Sequence, residues 1–420
     1  MPQDLVVIGL GYVGMPLVQE AINAGLSVRG YDVSEAVVTG LNAGRSHVDD
    51  LTDADVADLV ARGFEATTDP VTLGEADTIV ICVPTPLSND GGPDLTAIES
   101  AGRDIAGQLR RGQLIILEST TYPGTTEEVL QPIIESGGLK VGDDVHLAFS
   151  PERIDPGNEK FGAKNTPKVV GGVTAESTER AVAFYSQFID TVVRTKGPRE
   201  AEMAKLLENT YRHINIALVN EMARFCHELD IDLWDVINAA KSKPFGFQAF
   251  YPGPGVGGHC IPIDPNYLSH NVRSRLGYPF RFVELAQEIN ATMPSYVVSR
   301  LQDTLNDDGK ALKGARILLL GVTYKPNIAD ERESPARPLA KHLIDKGADL
   351  SFHDPFVESW HVNGLTMQRP EDLAAAAREA DLVVLLQHHR DYDLPAIVEQ
   401  SQRFFDTRGA APSDPKVESL

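Results

Sequence analysis

Cys260 is the residue whose surroundings in the sequence are most typical of a reactive group. It ends a segment, residues 243–260, that is rich in glycine and proline, and Asp264 follows four positions later. A thiol in an open, glycine-rich loop is more accessible to reaction than one packed in a core. Cys82 lies in an apolar strand pattern and Cys226 in a helical pattern, so we expect both to be buried.

A second group of residues has the spacing of a dinucleotide-binding turn. An apolar run leads into Gly9, Gly11 and Gly14, and a helical pattern, a second strand pattern and Asp32 follow. Gly9 permits the tight turn, Gly11 lets a pyrophosphate approach the backbone, and Gly14 lets helix and strand pack closely. The carboxylate of Asp32 can bind ribose hydroxyls and favours NAD over NADP, because a 2′-phosphate would meet a like charge.

A thiol beside a nicotinamide indicates a particular reaction. Oxidising an alcohol to an aldehyde needs only a hydride acceptor and a base. Oxidising the aldehyde further needs an adduct from which a second hydride can leave. A thiolate that attacks the aldehyde forms a thiohemiacetal, whose oxidation gives a thioester that water hydrolyses to an acid. The two features together therefore indicate oxidation to the carboxylate level.

The elements that must position these residues follow an α/β pattern. Strand patterns at 77–83, 113–117 and 146–149 each end in a polar or proline-containing loop, at the edge where parallel sheets bind ligands. Helical spacing over 200–229 and 281–305 then gives way to a second α/β pattern. We predict two Rossmann-like, doubly wound domains joined by a central helical region, with boundaries at 1–197, 198–305 and 306–420.

The second α/β pattern carries two further expectations. Its first loop, after residue 320, lacks three spaced glycines, so we expect no second dinucleotide there. The same loop is rich in charge, with Lys325, Asp330 and Arg332, which suits a phosphate-bearing partner. The polar tail after Gly409 is expected to be frayed.

Composition excludes several classes of protein. The 420 residues include 38 Lys and Arg against 60 Asp and Glu, a formal charge of −22 that argues against nucleic acid and anionic membrane surfaces as partners. No apolar run approaches the ~20 residues of a membrane-spanning helix. Three widely spaced cysteines form neither a disulfide framework nor a metal site. We therefore expect a cytoplasmic protein without a metal ion.

Along essentially its whole length the sequence resembles the UDP-glucose/GDP-mannose dehydrogenase family, and most closely its UDP-N-acetylglucosamine 6-dehydrogenase branch. The motifs that carry the resemblance are Glu-Ser-Thr-Thr-Tyr-Pro-Gly-Thr-Thr (118–126), Ser-Pro-Glu-Arg (150–153), Lys-Leu-Leu-Glu-Asn (205–209), Lys-Pro-Phe-Gly-Phe (243–247) and the segment from Phe250 to Pro265. Around the cysteine, Val256, His259, Ile261 and Ile263 depart from the pattern of the glucose branch.

The resemblance implies roles in catalysis. Cys260 would be the nucleophile, and Lys205 would stabilise negative charge on the alkoxide and on the tetrahedral adducts. Asn209 would help to position the same oxygen. Asp264 would activate water or support the base, and Thr120 would hold that water.

The resemblance also implies an acid/base group and two sets of binding residues. Glu152 would be the acid/base in thiohemiacetal formation and thioester hydrolysis. The residues that would contact NAD are Gly9, Gly11, Tyr12, Val13, Gly14, Asp32, Pro84, Thr85, Thr120 and Arg332. The residues that would contact the substrate are Glu152, Lys205, Asn209, Phe250, Tyr251, Gly255, Gly257, Tyr324, Lys325 and Arg408.

The resemblance implies a homodimer, formed by the central helical dimerisation region. The implied function is an NAD-dependent 6-dehydrogenase that oxidises a nucleotide-diphosphate hexose to the uronic acid. The uronic acid would be used for polysaccharide or glycosylated-metabolite synthesis. The hexose would be UDP-N-acetylglucosamine-like, or glucose linked to UDP or dTDP. One alternative is a two-electron alcohol dehydrogenase of the 6-phosphogluconate type, which uses Lys205 but no thiol. Another is a non-catalytic sensor of NAD or nucleotide sugars.

Overall fold

The chain forms two compact units, each with its own sheet. The structure is a computed structural model that describes residues 3–48, 51–86, 92–153, 160–258 and 261–420. The first unit comprises residues 1–208 and 266–276, and the second comprises residues 209–265 and 277–420. Within the described ranges, every helix is too short or too polar to span a lipid bilayer.

Eight strands form the sheet of the first unit. They are β1 (Gln3–Ile8), β2 (Val28–Tyr31), β3 (Glu65–Thr67), β4 (Ala76–Ile81), β5 (Leu114–Leu117), β6 (His146–Phe149), β7 (Lys168–Gly172) and β8 (Val192–Arg194). Their spatial order is β3-β2-β1-β4-β5-β6-β7-β8. The first six are parallel, and only β7 pairs antiparallel with its neighbour β6.

Helices cover both faces of this sheet. They are α1 (Gly14–Asn23), α2 (Glu35–Asn42), α3 (Asp53–Ala61), α4 (Thr96–Gln108), α5 (Gln131–Glu135) and α6 (Ala175–Tyr185). Within β1, Leu5 and Val7 belong to one buried cluster and Val6 and Ile8 to another, one cluster on each face of the sheet. A parallel strand buried on both faces explains the unbroken apolar run in the sequence.

Four helices make up the middle of the chain: α7 (Pro198–Glu228), α8 (Leu233–Lys241), α9 (Asp264–Leu276) and α10 (Arg281–Asp307). The helical spacing predicted over 200–229 is a single helix of 31 residues. The helix α9 was not predicted. Its start had a recognisable signal, because an acidic residue followed by proline, Asp264-Pro265, is typical of a helix N-terminus.

The second unit contains a five-stranded parallel sheet and a small hairpin. The strands are β9 (Arg316–Leu320), β10 (Asp349–His353), β11 (Ser359–Val362), β12 (Leu365–Gln368), β13 (Leu382–Leu385), β14 (Phe404–Asp406) and β15 (Val417–Ser419). The sheet order is β10-β9-β13-β14-β15, and β11 pairs with β12. The covering helices are α11 (Ala336–Asp345), α12 (Leu373–Glu379) and α13 (Leu394–Gln400). The predicted α/β class, with two Rossmann-type sheets and a helical middle, is confirmed.

The end of the chain is ordered, so the prediction of a frayed tail after Gly409 was wrong. Val417–Ser419 forms β15, which pairs with β14, and the backbone N–H of Leu420 donates to the carbonyl of Asp406 at 3.0 Å. The Leu420 side chain belongs to a buried apolar cluster and is 6 % exposed. Apolar residues at wide spacing were enough to anchor a segment whose composition is mostly polar.

Candidate active site

The glycine-rich turn after β1 has little room for added side chains at two of its three glycines. Gly9 has a φ of +88°, and a Cβ there would lie 2.8 Å from the carbonyl oxygen of Cys82. A Cβ on Gly14 would lie 2.0 Å from the carbonyl oxygen of Gly9. At Gly11 an added Cβ would meet nothing within 4 Å. The backbone at Gly11 therefore faces open space, as a bound pyrophosphate requires.

Asp32, at the end of β2, both braces this turn and presents a carboxylate. One of its oxygens accepts a hydrogen bond from the N–H of Leu10 at 2.9 Å, and the other accepts from the N–H of Ser34 at 2.9 Å. The nearby helix α1 begins without a side-chain cap and without an acidic residue in its first turn. Its N–H groups are thus oriented for an anion, and the residues of this turn fit a dinucleotide.

The loops after β4 and β5 are tied to each other. The Thr85 hydroxyl donates to the carbonyl of Thr120 at 2.8 Å, and the Ser119 hydroxyl donates to the carbonyl of Val83 at 2.7 Å. Pro84 lies between the two anchored residues of the first loop. Since β4 neighbours β1 in the sheet, these loops stand at the same carboxyl edge as the glycine-rich turn.

Glu202 of α7 fixes the second of these loops. Its carboxylate is 1 % exposed and accepts hydrogen bonds from the N–H of Gly124 at 2.6 Å, the N–H of Thr126 at 2.9 Å and the Thr126 hydroxyl at 2.7 Å. Burial raises the pKa of Glu202 to about 7, although these three donors favour the ionised form. The loop that carries Thr120 is therefore held by the helix that carries Lys205.

Lys205 and Glu152 are in contact in the first unit. The Lys205 side chain is 9 % exposed, and its ammonium donates to the backbone carbonyl of Glu152. The Glu152 carboxylate instead lies 3.2 Å from the ammonium of Lys168. Lys168 also contacts Glu118 at 3.0 Å. The main chain of Glu152 therefore contacts Lys205, and its side chain contacts Lys168.

Asn209 and Asp264 form a buried pair in the second unit. The Asn209 amide donates to a carboxylate oxygen of Asp264 at 2.5 Å, and the two residues are 5 % and 2 % exposed. Asn209 lies four residues after Lys205 on the single helix α7, so the two side chains are one turn apart on it.

The glycine-rich segment before Cys260 packs against protein. A Cβ on Gly257 would lie 2.7 Å from the carbonyl oxygen of Glu333, and one on Gly255 would lie 3.0 Å from Pro335. From the sequence we expected these glycines to make room for a ligand. On this side of the backbone they make room for the loop that follows β9 instead.

The aromatic residues of this segment are supported by neighbouring helices. The rings of Tyr251 and Trp234 are stacked, with centroids 5.9 Å apart, and the ammonium of Lys241 lies 3.3 Å from the Tyr251 hydroxyl. The Phe250 ring meets Tyr211 edge-on at 5.8 Å. Tyr251 remains 44 % exposed, so part of this positioned aromatic side chain is accessible.

Cationic residues follow strands of the second sheet. The Arg408 guanidinium donates to the carbonyl of Leu386 at 2.6 Å and lies close to Gly253. Burial lowers the pKa of Arg408 to about 10, which leaves it charged at neutral pH. Tyr324 and Lys325 lie in the loop after β9, where the Gln387 amide donates to the Tyr324 carbonyl at 3.2 Å.

Two further predicted site residues are Arg332 and Cys260. Arg332 lies in the second unit, whereas the glycine-rich turn lies in the first, and its guanidinium pairs with Asp330 at 2.8 Å. Cys260 lies outside the described residues. Cys82 and Cys226 are both buried, as predicted. Among the described residues, no three His, Cys, Asp or Glu side chains group as a metal ion would need.

Four buried residues of these regions were given no role from the sequence: Glu118, Lys168, Glu202 and His389. Glu118 is the first residue of the motif at 118–126 and directly follows the strand pattern at 113–117. That position could have marked it as a candidate site residue. The other three had none, because their partners lie in distant segments of the chain.

Models of three domains of one family match this chain in order. The NAD binding domain of the UDP-glucose/GDP-mannose dehydrogenase family matches residues 3–189, the central domain matches residues 199–292, and the UDP binding domain matches residues 318–412.

Individual relatives agree with the family models. A UDP-N-acetyl-D-mannosamine dehydrogenase of Methanococcus maripaludis is 34 % identical over 92 % of this chain and 86 % of its own. A UDP-N-acetyl-D-glucosamine 6-dehydrogenase of Pseudomonas aeruginosa is 35 % identical over 86 % of this chain and 85 % of its own. The structure of a UDP-D-ManNAc dehydrogenase from Pyrococcus horikoshii, 30 % identical, matches 99 % of this chain and 98 % of that chain with a TM-score of 0.89. The chain therefore belongs to the UDP-glucose/GDP-mannose dehydrogenase family, and NAD is its cofactor.

Proposed function

We propose that this protein oxidises C6 of a UDP-linked 2-acetamido hexose to the carboxylate, using two NAD and one water for each sugar. The observation that best supports this is the buried Asn209–Asp264 pair, in which the Asn209 amide donates to the carboxylate at 2.5 Å. The Asn209 amide is a hydrogen-bond donor for an oxygen that becomes negatively charged, and the Asp264 carboxylate is a base for a water molecule. The names of the relatives support the acetamido sugar.

NAD, held by the turn from Gly9 to Asp32, supplies the hydride acceptor for both oxidations. Lys205 stabilises the alkoxide at C6, and Asn209 orients it. The Cys260 thiolate adds to the C6 aldehyde and later leaves C6 when water cleaves the thioester. Asp264 orients or activates that water, with Thr120 holding it.

Glu152 moves the protons in this scheme. It protonates the thiohemiacetal oxygen as the Cys260 thiolate adds, takes that proton back when the second hydride leaves C6, and passes it to solvent. As a carboxylate it then accepts a proton from the water that attacks the thioester. The nucleotide diphosphate is assigned to Lys325 and Arg408, with Tyr251 available to stack on the base.

We also propose that the protein is a homodimer in the cytoplasm. Tyr211, Leu218 and Phe225 on α7 and Leu229 directly after it are between 44 % and 63 % exposed, and their spacing of seven, seven and four residues places them along one stripe. A stripe of large apolar side chains is typical of a surface that another subunit covers. The two described cysteines are free thiols, which supports a reducing compartment.

A substrate screen tests this function. The purified protein would be incubated with NAD and with UDP-N-acetylmannosamine, UDP-N-acetylglucosamine, UDP-glucose or dTDP-glucose, and NADH formation would be followed. We expect the highest kcat/KM for one of the two acetamido sugars. A preference for either glucose nucleotide would refute the substrate class, and no NADH with any of the four would refute the function.

A further inference from the structure

A buried triad of ionisable groups lies at the carboxyl edge of the first sheet. The ammonium of Lys168 is 3.0 Å from a carboxylate oxygen of Glu118 and 3.2 Å from one of Glu152. The side chains of Lys168, Glu118 and Glu152 are 8 %, 0 % and 13 % exposed. Since Glu118 follows β5, Glu152 follows β6 and Lys168 begins β7, three strands bring the triad together.

Several titratable groups surround the triad within the described part of the chain. The Tyr185 hydroxyl on α6 donates to Glu118. Arg153 pairs with Glu208 on α7 at 2.7 Å. Cys82 after β4, Lys205 on α7 and Glu20 on α1 also face it. Burial raises the pKa of the Cys82 thiol and that of the Tyr185 hydroxyl, so both are neutral at ordinary pH.

Two carboxylates this close cannot both stay ionised in a buried site unless a cation lies between them. Burial raises the pKa of Glu118, and Lys168 opposes that shift. The two carboxylates in turn raise the pKa of Lys168 in spite of its burial, so it is charged at neutral pH. Without Lys168, the two carboxylates would compete for one proton.

We propose that Lys168 is a positioning residue that holds the side chain of Glu152 in place and keeps it ionised for the hydrolysis of the thioester. The inference rests on the proposed role of Glu152 as the acid/base. The proposal gives the two lysines beside Glu152 different roles. Lys205 contacts the backbone carbonyl of Glu152 and stabilises charge on the substrate oxygen. Lys168 contacts the carboxylate of Glu152 and stabilises its ionised form.

Charge-balanced variants test this role. Lys168→Met should move the acid limb of the kcat–pH profile upward by about one pH unit or more, since an opposite charge at this distance typically shifts a carboxyl pKa by about 1–3 units. The loss of rate should therefore be largest at low pH and recover as the pH rises. Lys168→Arg should keep the limb near its original pH. Lys168→Met combined with Glu118→Gln should reverse most of the shift, because the cation and the competing carboxylate are removed together.

The variants need matched controls. The thermal midpoint and NAD affinity of each variant report whether the first unit is intact. If Lys168→Met does not fold, the single variant Glu118→Gln is measured instead. It should move the acid limb of the kcat–pH profile to lower pH, because Lys168 would then pair with Glu152 only. Equal loss of rate at every pH in Lys168→Met, or no recovery in the double variant, would overturn the proposal. If the wild-type protein forms no NADH from any nucleotide sugar, the proposed function fails before Lys168 is tested.

Discussion

At the residue scale, Gly11 and Gly14 are three positions apart but face different surroundings. A Cβ at Gly14 would overlap the carbonyl oxygen of Gly9, so Gly14→Ala should destabilise the first unit by about 1–3 kcal/mol, as other overpacked sites do. A Cβ at Gly11 meets only open space, so Gly11→Ala should leave the thermal midpoint unchanged and weaken NAD binding at least about tenfold, equivalent to about 1.4 kcal/mol.

Thermal unfolding and NAD titration of the two variants distinguish these effects. A Gly14→Ala protein with the wild-type midpoint would show that the turn does not pack as described. A Gly11→Ala protein with wild-type NAD affinity would show that the open face at Gly11 is not where the pyrophosphate lies.

The sequence allowed the residues of the NAD turn to be predicted because their spacing is local. Gly9 to Asp32 spans one strand–helix–strand unit, and each residue has its function within that unit. The triad at Lys168 could not be predicted in the same way. Its three members are 16 to 50 residues apart and meet only because β5, β6 and β7 are neighbours in the sheet.

At the scale of elements, the loop after β13 braces the loop after β9. A ring nitrogen of His389 accepts from the backbone N–H of Asn327 at 3.0 Å, and the other lies 3.1 Å from a carboxylate oxygen of Asp354. His389 is fully buried. The braced loop carries Tyr324 and Lys325, which we assign to the substrate.

His389→Ala should loosen this loop and raise the KM for the nucleotide sugar several-fold, a larger change than in the KM for NAD, because the turn from Gly9 to Asp32 makes no contact with His389. The matched control is His388→Ala, since His388 is the exposed neighbour in the same loop. Steady-state kinetics with each substrate varied in turn provides the measurement. An equal effect of the two alanine variants on KM would contradict the brace.

The two sheets also explain what could be predicted for each element. Asp32 and Asp354 both follow the second strand of a Rossmann unit, and both accept from the first turn, from Leu10 at 2.9 Å and from Val322 at 2.7 Å. Apolar strand patterns were enough to predict both units. They did not reveal that Asp354 is completely buried against His389, whereas Asp32 is only half-buried. That difference depends on a loop 35 residues away.

At the scale of the whole molecule, the apolar stripe on α7 predicts the subunit contact. Leu218→Glu should convert the proposed dimer to a monomer, because a charge would be buried among apolar side chains. Leu365 on β12 is 48 % exposed, close to the 53 % of Leu218, so Leu365→Glu is the control and should leave the dimer intact. Sedimentation velocity of the three proteins gives the result. A monomeric wild type, or a Leu218→Glu dimer, would refute the role of the stripe.

The most direct test of the proposed chemistry is the amount of NADH formed for each nucleotide sugar consumed. With the acetamido sugar limiting and NAD in excess, we expect the wild-type protein to form two NADH and one uronate for each sugar. The Cys260→Ser variant should form neither uronate nor a second NADH. One NADH per sugar, with no carboxylate formed at C6, would instead indicate a two-electron alcohol dehydrogenase and would contradict the four-electron mechanism.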